Sequence, residues 1–264
     1  MGRRLHRRRH RSELPSPRRA SVGGPVKGTA VVLDIEGTVG SAAHVHDVLF
    51  PYARERLPRW FAEYRGTVRA TVLLKEIRDY LGVDSLDEAD AVEALTAWTD
   101  QDVKAPPLKT IQGWIWTAGY ADGSLTGHVY PEVPDVLCCW NDSGAALHIY
   151  SSGPAAAQVH WFGHTPYGDL TPLLRGYFDL VTAGSKKSAD SYRRISGVIG
   201  TRPEATLFLS DSPEELDAAA EAGWRTVGVR RPEDPRAFPV AGHLTIRSLD
   251  EQDLEQLMKG PERG

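Results

Sequence analysis

Short apolar segments that end in acidic or hydroxyl residues constrain the fold of this 264-residue chain more than any other feature of its sequence. Short apolar runs bounded by turn residues are typical of strands buried on both faces of a parallel sheet. The three clearest runs, each followed at once by an acid or a serine, are Thr29–Leu33, Ala145–Tyr150 and Ala205–Leu209. Two more runs, Phe178–Val181 and Arg225–Val229, predict a fourth and a fifth strand.

Helical patterns lie between these predicted strands. The clearest are Ala155–Phe162, Ser188–Ile199 and Glu214–Ala222. Strands that alternate with helices favour an open α/β fold with right-handed crossovers. In such folds the ligand lies beyond the carboxyl ends of the strands, so we expect the polar residues that follow the strands to meet at one edge of the sheet.

The region between the first and second predicted strands has a different pattern. Apolar residues recur there every fourth position, at Leu49, Ala53, Leu57 and Phe61, and the next helical patterns are Val72–Leu81, Leu86–Thr99 and Leu108–Thr117. This spacing predicts helices. We therefore predict an all-helical cap over residues 47–127, inserted into an α/β core made of residues 28–46 and 128–246, with a C-terminal tail over 247–264.

The charges are unevenly distributed along the chain. The first 28 residues carry a net charge of +8, whereas the remaining residues carry −12. Residues 1–27 are rich in arginine, are interrupted by prolines and have no helical periodicity, so we predict a disordered tail. Clustered guanidinium groups can also bind nucleic acid or another acidic surface. Because the acidic body offers no basic stripe to continue such a site, we expect no nucleic-acid partner.

Hydropathy and cysteine content indicate where such a protein acts. No run approaches the roughly 18–20 apolar residues that a membrane-spanning helix requires, so we expect no membrane association. The two cysteines, Cys138 and Cys139, are adjacent, and adjacent cysteines rarely form a disulfide without strain. They are typical of packing thiols in a reducing compartment, and we expect a cytoplasmic monomer.

The first candidate functional motif is Asp34-x-Glu36-Gly37-Thr38, at the end of the first predicted strand. Two carboxylates separated by one residue point the same way along an extended backbone, and a glycine permits a tight turn after them. One carboxylate can attack phosphorus while the other transfers the proton of the leaving group. The alternative is a turn rich in acids with no chemical role.

Three further motifs follow later in the chain. Ser151-Ser152-Gly153 can hold phosphate oxygens at the start of a helix, or can simply cap that helix. Lys186, beside Lys187, can neutralise a phosphate or lie in solvent. Asp211 with Glu214 and Glu215 suits a hard cation, although acids in the first turn of a helix are ordinarily caps. Each motif is weak alone, but their order on successive strand ends is specific.

That order resembles the haloacid-dehalogenase (HAD) superfamily of aspartate-nucleophile phosphatases. The superfamily usually has aspartate where this chain has Glu36, and the chain is more closely similar to one subfamily, the enolase-phosphatases of methionine salvage. The motifs that carry this similarity are Asp34–Thr38, His46–Arg54, Gly127–Pro131, Tyr150–Gly153, Phe162–His164, Gly168–Pro172, Gly184–Lys186, Ser191–Arg194, Phe208–Asp211 and Glu215–Ala219. The resemblance implies a HAD-like, Rossmannoid α/β fold whose parallel sheet core carries the helical cap.

The resemblance also implies residue roles and a cofactor, Mg²⁺. Asp34 matches the nucleophile and a metal ligand, and Glu36 matches a backbone carbonyl ligand and the candidate acid/base. Ser151 and Ser152 match the phosphate-binding pair, and Lys186 matches the catalytic lysine that contacts the phosphate. Asp211 matches a metal ligand. Glu215 matches a residue that contacts the metal ligands and not the metal itself. The chain departs from the family at Val39, at residues 40–44 and at Ser212-Pro213, so the details of substrate binding near the cap follow less directly.

The implied reaction converts 2,3-diketo-5-methylthiopentyl-1-phosphate, a small-molecule phosphate ester, to the acireductone 1,2-dihydroxy-3-keto-5-methylthiopentene and phosphate. The alternatives are a HAD phosphatase that acts on another small phosphate ester, and a binding module on a retired enzyme core. Trp114 and Trp116, in the last cap helix, can line a pocket for the thioether or pack within the cap. His160 and His164 have a zinc-like spacing but no third ligand, so we expect a structural role.

Overall fold

A computed structural model describes residues 28–236 and 238–251 of the chain. The disordered tail predicted for residues 1–27, and residues 252–264 of the predicted C-terminal tail, lie outside the described residues.

Within the described residues, six strands form one parallel sheet with the order β3-β2-β1-β4-β5-β6. The strands are β1 (Ala30–Leu33), β2 (Ala146–Tyr150), β3 (Leu174–Phe178), β4 (Thr206–Ser210), β5 (Arg225–Val229) and β6 (Thr245–Ile246). Every residue of β1 and of β4 is buried, as the continuous apolar runs predicted. The predicted α/β Rossmannoid fold is therefore confirmed, and the order of the strands reverses between β1 and β4.

Three elements differ from the sequence-based prediction. The strand predicted at Phe178–Val181 is wrong in position, because β3 ends at Phe178 and the Asp179 carboxylate accepts hydrogen bonds from the backbone N–H groups of Val181 and Thr182. Strand β3 lies at the edge of the sheet and is only partly buried, so it lacks the apolar run on which the prediction relied. The short strand β6 and the helix Val133–Asp142 were not predicted.

Helices fill the connections between the strands. The helices are α1 (Ala42–His44), α2 (Phe50–Tyr64), α3 (Val68–Leu81), α4 (Glu88–Asp100), α5 (Pro106–Ala121), α6 (Val133–Asp142), α7 (Ala155–Gly163), α8 (Ala189–Ile199) and α9 (Pro213–Glu221), and a π-helical turn, Val45–Leu49, joins α1 to α2. Helices α1–α5 lie between β1 and β2, where helices were predicted. None of the helices in residues 28–236 and 238–251 is long and apolar enough to cross a membrane.

Local signals set the ends of the inserted helices. The Thr67 hydroxyl accepts a hydrogen bond from the Ala70 backbone N–H at the start of α3. At the end of α3, Gly82 adopts a positive φ of 68° and its N–H donates to the Arg78 carbonyl oxygen. Helix α4 begins with a reciprocal capping box between Asp87 and Asp90. Such caps satisfy backbone groups that the helix ends leave unpaired.

One contiguous apolar core joins the sheet to the inserted helices. It contains Leu33 of β1 together with Leu57 of α2 and Leu95 of α4. Helix α5 packs closely against α2 at Gly119. A Cβ atom at this position would lie 2.4 Å from the Tyr52 hydroxyl oxygen. The division of the chain into a core and a cap stays a prediction.

We predict that Leu57→Ala lowers the free energy of unfolding by about 3 kcal/mol, because it leaves a cavity among fully buried side chains. Urea denaturation of the variant measures the change. Val68→Ala is the control, because Val68 is 81% exposed, and its effect should stay below about 0.5 kcal/mol. Equal losses in the two variants would contradict the packing described for α2.

His148 should make stability depend on pH. Burial, followed by the nearby Arg175 charge, lowers the pKa of His148 to about 4 from 6.5. The unfolded chain therefore binds a proton at a pH where the folded chain does not. Stability from the neutral imidazole is complete above pH 6.5 and is lost as the pH falls toward 4, by up to about 3 kcal/mol. Unfolding curves across this range should show the loss in the wild type and a shallower slope in His148→Leu. Parallel curves for the two proteins would refute the assignment.

Candidate active site

Asp34 lies immediately after β1, at the centre of the sheet's carboxyl edge. Its backbone N–H donates to the Leu209 carbonyl oxygen of β4 at 3.0 Å. Its side chain is buried, and the carboxylate oxygen Oδ1 accepts a 2.8 Å hydrogen bond from the Ile35 backbone N–H. The second oxygen, Oδ2, accepts a hydrogen bond from the Ser210 hydroxyl at 3.2 Å. These contacts fix the orientation of the carboxylate.

Lys186 joins Asp34 to a second buried carboxylate. Its Nζ atom lies 2.6 Å from Asp34 Oδ1 and 2.6 Å from Glu215 Oε2, and its side chain is only 6% exposed. The Ser210 hydroxyl oxygen also lies 2.9 Å from Glu215 Oε2, so its single proton is shared between the carboxylates of Asp34 and Glu215. The lysine that follows β3, the serine that ends β4 and the glutamate of α9 thus form one network around Asp34.

Burial and the charge of the ion-pair partner shift the pKa values of Asp34 and Lys186 in opposite directions. Burial, with the negative charge of Glu215, raises the pKa of Asp34 to about 6, although the Lys186 ammonium acts to lower it. Burial alone would lower the pKa of Lys186, but the carboxylates of Asp34 and Glu215 outweigh it and hold the pKa above its ordinary value. Lys186 is therefore protonated at neutral pH.

Glu36 lies in a tight loop that turns the chain away from β1. The Ile35 carbonyl oxygen accepts hydrogen bonds from the N–H groups of Val39 and Gly40, at 3.0 and 2.8 Å. Gly37 has a φ of +72°, and a Cβ atom there would lie 2.5 Å from Asp211 Oδ2, so only glycine fits. Burial, followed by the charge of Asp34, raises the pKa of the half-buried Glu36 carboxyl. The loop thereby holds a carboxyl group that can exchange a proton.

Asp211 follows β4 and faces Asp34 across the edge of the sheet. Burial, followed by the negative charge of Asp34, raises the pKa of Asp211. Arg236 opposes this effect, since its guanidinium forms an ion pair with Asp211 Oδ2. The same arginine contacts Asp234 at 2.5 Å. The two adjacent strand ends therefore place two carboxylates together, which raises the free energy of charging both.

Ser151 and Ser152 follow β2, next to Asp34. The buried Ser151 hydroxyl accepts a 3.3 Å hydrogen bond from the Gly153 N–H, whereas Ser152 is exposed. The N–H of Ala155, at the start of α7, donates instead to the Asp179 carboxylate at 2.9 Å. Asp179 thus binds the first N–H of the helix, so the hydroxyl groups and the preceding turn, rather than the first turn of α7, face the site.

The structure brings together all the site residues that the sequence predicted. They line one polar cavity of about 470 Å³, and they are Asp34, Glu36, Ser151, Ser152, Lys186, Asp211 and Glu215. Sheet order explains the grouping, because β2, β1 and β4 are neighbours and their carboxyl ends share one edge. The chemical roles given to these residues stay predictions.

Sequence reasoning missed Arg231, which anchors the loop after β1. Its Nε atom donates to the Thr38 carbonyl oxygen at 2.9 Å, and its Nη1 atom pairs with Glu132 at 2.5 Å. The guanidinium also lies 3.8 Å from the centre of the Tyr130 ring. In the sequence, only the position of Arg231 indicated that it would lie near the site, because it follows β5 and so lies at the same edge of the sheet.

An apolar cavity of about 290 Å³ adjoins the polar one, and both are lined by Glu36, Ser151 and Ser152. Its walls come largely from the inserted helices, and they include Val45, Leu49, Phe50, Leu108 and Trp116. Trp116 therefore lines a pocket, which was one of the two alternatives predicted for it, the other being packing within the cap. Trp114 instead stacks on Trp60, with ring centres 5.4 Å apart, so it packs within the inserted helices.

His160 and His164, for which a structural role was predicted, contact each other and Tyr120. The Nδ1 atom of His164 lies 2.9 Å from the His160 carbonyl oxygen, and both rings pack against Tyr120. Within residues 28–236 and 238–251, no cluster of three or more histidine, cysteine or acidic side chains has a metal-binding arrangement. A metal at the polar cavity would therefore use fewer than three such side chains, with backbone, water or substrate oxygens as its other ligands.

Comparisons with known proteins agree with this geometry. A family profile described as haloacid dehalogenase-like hydrolase matches residues 29–223. The chain is 47% identical to "Enolase-phosphatase E1" of Streptomyces avermitilis over 206 residues, which cover 78% of this chain and 86% of the relative. It is 44% identical to the protein of the same name from Nocardia farcinica, covering 86% of this chain and 97% of that one.

Solved structures give the same result. The crystal structure of the UTR4 protein of Saccharomyces cerevisiae superposes with a TM-score of 0.71 at 30% identity, covering 85% of this chain and 99% of that one. The resemblance read from the motifs is therefore confirmed. The chain belongs to the haloacid dehalogenase-like hydrolases and, within them, to the enolase-phosphatase family.

Proposed function

We propose that this protein enolises 2,3-diketo-5-methylthiopentyl-1-phosphate and then removes its phosphate, giving the acireductone. The observation that carries the proposal is the pair of adjoining cavities. The polar cavity holds Asp34 and Lys186, which suit phosphoryl transfer, and the apolar cavity suits an uncharged chain. Glu36 lines both, so one carboxyl group reaches the phosphate and the carbon next to it.

Phosphoryl transfer begins at Asp34. Its carboxylate oxygen attacks phosphorus and forms an acyl phosphate, the bond from phosphorus to the substrate oxygen breaks, and that oxygen takes a proton from Glu36. Water then gives a proton to Glu36 and attacks the same phosphorus. The bond between Asp34 and phosphorus breaks, which releases phosphate and restores the carboxylate.

Lys186 and the serines would bind the phosphate. Lys186 is protonated and faces the same cavity as Ser151 and Ser152. A buried cation attracts phosphate oxygens strongly, since little water screens the interaction. Glu215 holds Lys186 in place through the 2.6 Å contact, and Ser210 connects Glu215 to Asp34. Lys186 is thus positioned beside the nucleophile before substrate binds.

The site suits Mg²⁺. The negative charge of Asp34 raises the cost of ionising Asp211, so a cation between them would relieve the repulsion, and carboxylate oxygens are ligands that Mg²⁺ prefers. We propose that Asp34, Asp211 and the backbone carbonyl of Glu36 hold Mg²⁺. When bound, it would stabilise negative charge on the phosphate and on a developing enolate. Arg236, which contacts Asp211 here, would then have to release that carboxylate.

Enolisation requires loss of a proton from the carbon that carries the phosphate ester. Glu36 is suited to accept it, because burial raises the pKa of its carboxyl toward the range in which a base works near neutral pH. We propose that one site performs both reactions and retains the enol phosphate between them. The inserted helices would exclude water from this site.

We further propose that the enzyme acts as a cytoplasmic monomer on a small-molecule phosphate ester. Its cysteines support a reducing compartment, since Cys138 and Cys139 do not form a disulfide with each other. Gel filtration with light scattering would test the oligomeric state.

Supplying the diketone phosphate and following enol phosphate and free phosphate over time tests the proposed function. Both products should form in sequence with Mg²⁺, and neither should form in chelator. Hydrolysis of 4-nitrophenyl phosphate, with no turnover of the diketone phosphate, would instead indicate a phosphatase for another small ester.

We predict that Asp34→Asn reduces phosphate release by about a thousandfold or more, since an amide is a poor nucleophile. The variant should still enolise slowly if it retains the metal, so that the enol phosphate accumulates and can be measured by its ultraviolet absorbance. Phosphate release near the wild-type rate would exclude an aspartyl-phosphate intermediate.

Asp211→Asn should chiefly weaken the binding of Mg²⁺, because an amide is a weaker ligand than a carboxylate. We expect low activity at Mg²⁺ concentrations that saturate the wild type, and partial recovery as the concentration rises. Isothermal calorimetry should show the weaker affinity directly. Asp217→Asn is a matched control on the exposed side of α9, and should bind Mg²⁺ as the wild type does.

A further inference from the structure

One face of α5 presents polar groups to the apolar cavity. Lys109, Gln112, Trp116 and Tyr120 all line it, and they are three or four positions apart. Residues at this spacing share one side of a helix. The indole N–H of Trp116 is satisfied, because it donates to the Leu49 carbonyl oxygen at 2.8 Å. The polar side-chain groups of the other three residues, Lys109, Gln112 and Tyr120, have no such hydrogen bond to the residues described.

Gln112 is the first of these groups. Its side chain is only 4% exposed, and no hydrogen-bond partner for it lies in the described part of the chain. The amide opens onto the cavity, so a ligand there can supply hydrogen bonds that no side chain of the described residues supplies. Because the amide lines the cavity, its partner would be a group inside the cavity. The amide offers two N–H donors and one acceptor.

Lys109 is the second. It is half-buried, and its ammonium has neither a hydrogen bond nor an ion pair with any residue that the structure describes. Burial, with the charge of Lys104, lowers the pKa of Lys109, although Glu36 acts in the opposite direction. The exposed lysines Lys75 and Lys104 each pair with an aspartate. A lysine left unpaired inside a partly apolar cavity is therefore unusual for this protein.

The third is the Tyr120 hydroxyl, which is buried and unpaired among the residues described. Three polar groups on one helix face, each without a side-chain hydrogen bond to the residues described, indicate a ligand with several polar atoms beside an apolar part. A phosphate bound beside Lys186 would direct the rest of such a ligand past Glu36 and along this face of α5.

We propose that Lys109 and Gln112 bind the two carbonyl oxygens of the substrate's diketone, and that Lys109 donates to the oxygen that becomes the enolate. This inference rests on the proposed function. In the step concerned, the C–H bond next to the carbonyl breaks and its proton goes to Glu36. The electron pair forms the new C=C bond, and the carbonyl π pair moves to the oxygen that Lys109 faces. A donor fixed at that oxygen stabilises the charge as it forms.

The test compares Lys109→Met, Gln112→Leu and the control Lys75→Met on two substrates. We expect Lys109→Met to slow enolisation of the diketone phosphate about 100-fold, as loss of one preorganised donor does elsewhere. Gln112→Leu should raise KM for the diketone phosphate about tenfold. Both variants should hydrolyse 4-nitrophenyl phosphate within about twofold of the wild type, because that ester has no ketone oxygens. Lys75→Met should match the wild type on both substrates.

The outcomes separate this inference from the proposed function. If the wild type does not enolise the diketone phosphate, the proposed function fails. If the wild type does so and Lys109→Met does so at the same rate, the inference is wrong. Equal losses on both substrates would also overturn it, because they would show a general defect. Lys109→Arg keeps the positive charge and should recover part of the enolisation, and thermal melting verifies that each variant is folded.

Discussion

The ion pair of Lys186 with Asp34 is the interaction on which the rest of the site depends. A buried aspartate would resist ionisation, and yet a nucleophilic carboxylate has to be ionised. Lys186 opposes the effect of burial on Asp34 from 2.6 Å, and it is held at the same distance by Glu215. Buried ion pairs contribute little net stability, because desolvation offsets their attraction. The ion pair at the centre of the sheet edge therefore supports the proposed chemical role of Asp34 better than it supports a contribution to stability.

Several carboxylates lie close together at this edge of the sheet, and their negative charge has to be balanced. Arginines in the segment after β5 supply the positive charge. Arg236 pairs with Asp211, Arg231 pairs with Glu132, and Arg230 contacts Asp234 at 3.0 Å. Arg231 also holds the Thr38 carbonyl oxygen, and so it fixes the loop that carries Glu36. The chain between β5 and β6 thus balances charge and positions a candidate acid/base, although it has no residue among the predicted catalytic groups.

Sequence reasoning succeeded where local pattern and position decide the structure. Fully buried strands such as β1 and β4 appear as apolar runs, and the polar residues after them had to meet at one edge. It failed where tertiary context decides. Edge strand β3 has no continuous run, and the contacts of Arg231 join residues nearly 200 positions apart in the chain. Nor could spacing reveal that the Gln112 side chain has no hydrogen-bond partner among the residues described, because its surroundings come from other helices and from the strand-end loops.

The two cavities suggest different roles for the sheet and for the inserted helices. The strand ends hold Asp34, Ser151 and Asp211 together at one edge of the sheet, in positions suited to the phosphoryl transfer proposed here. The inserted helices line the cavity proposed to hold the remainder of the substrate, so under that proposal changes in α5 would alter substrate choice without moving Asp34. Glu36 lies where the cavities meet. A single carboxyl group at that junction can serve a carbon atom on one side and a phosphate on the other, which is the arrangement that two consecutive reactions in one site require.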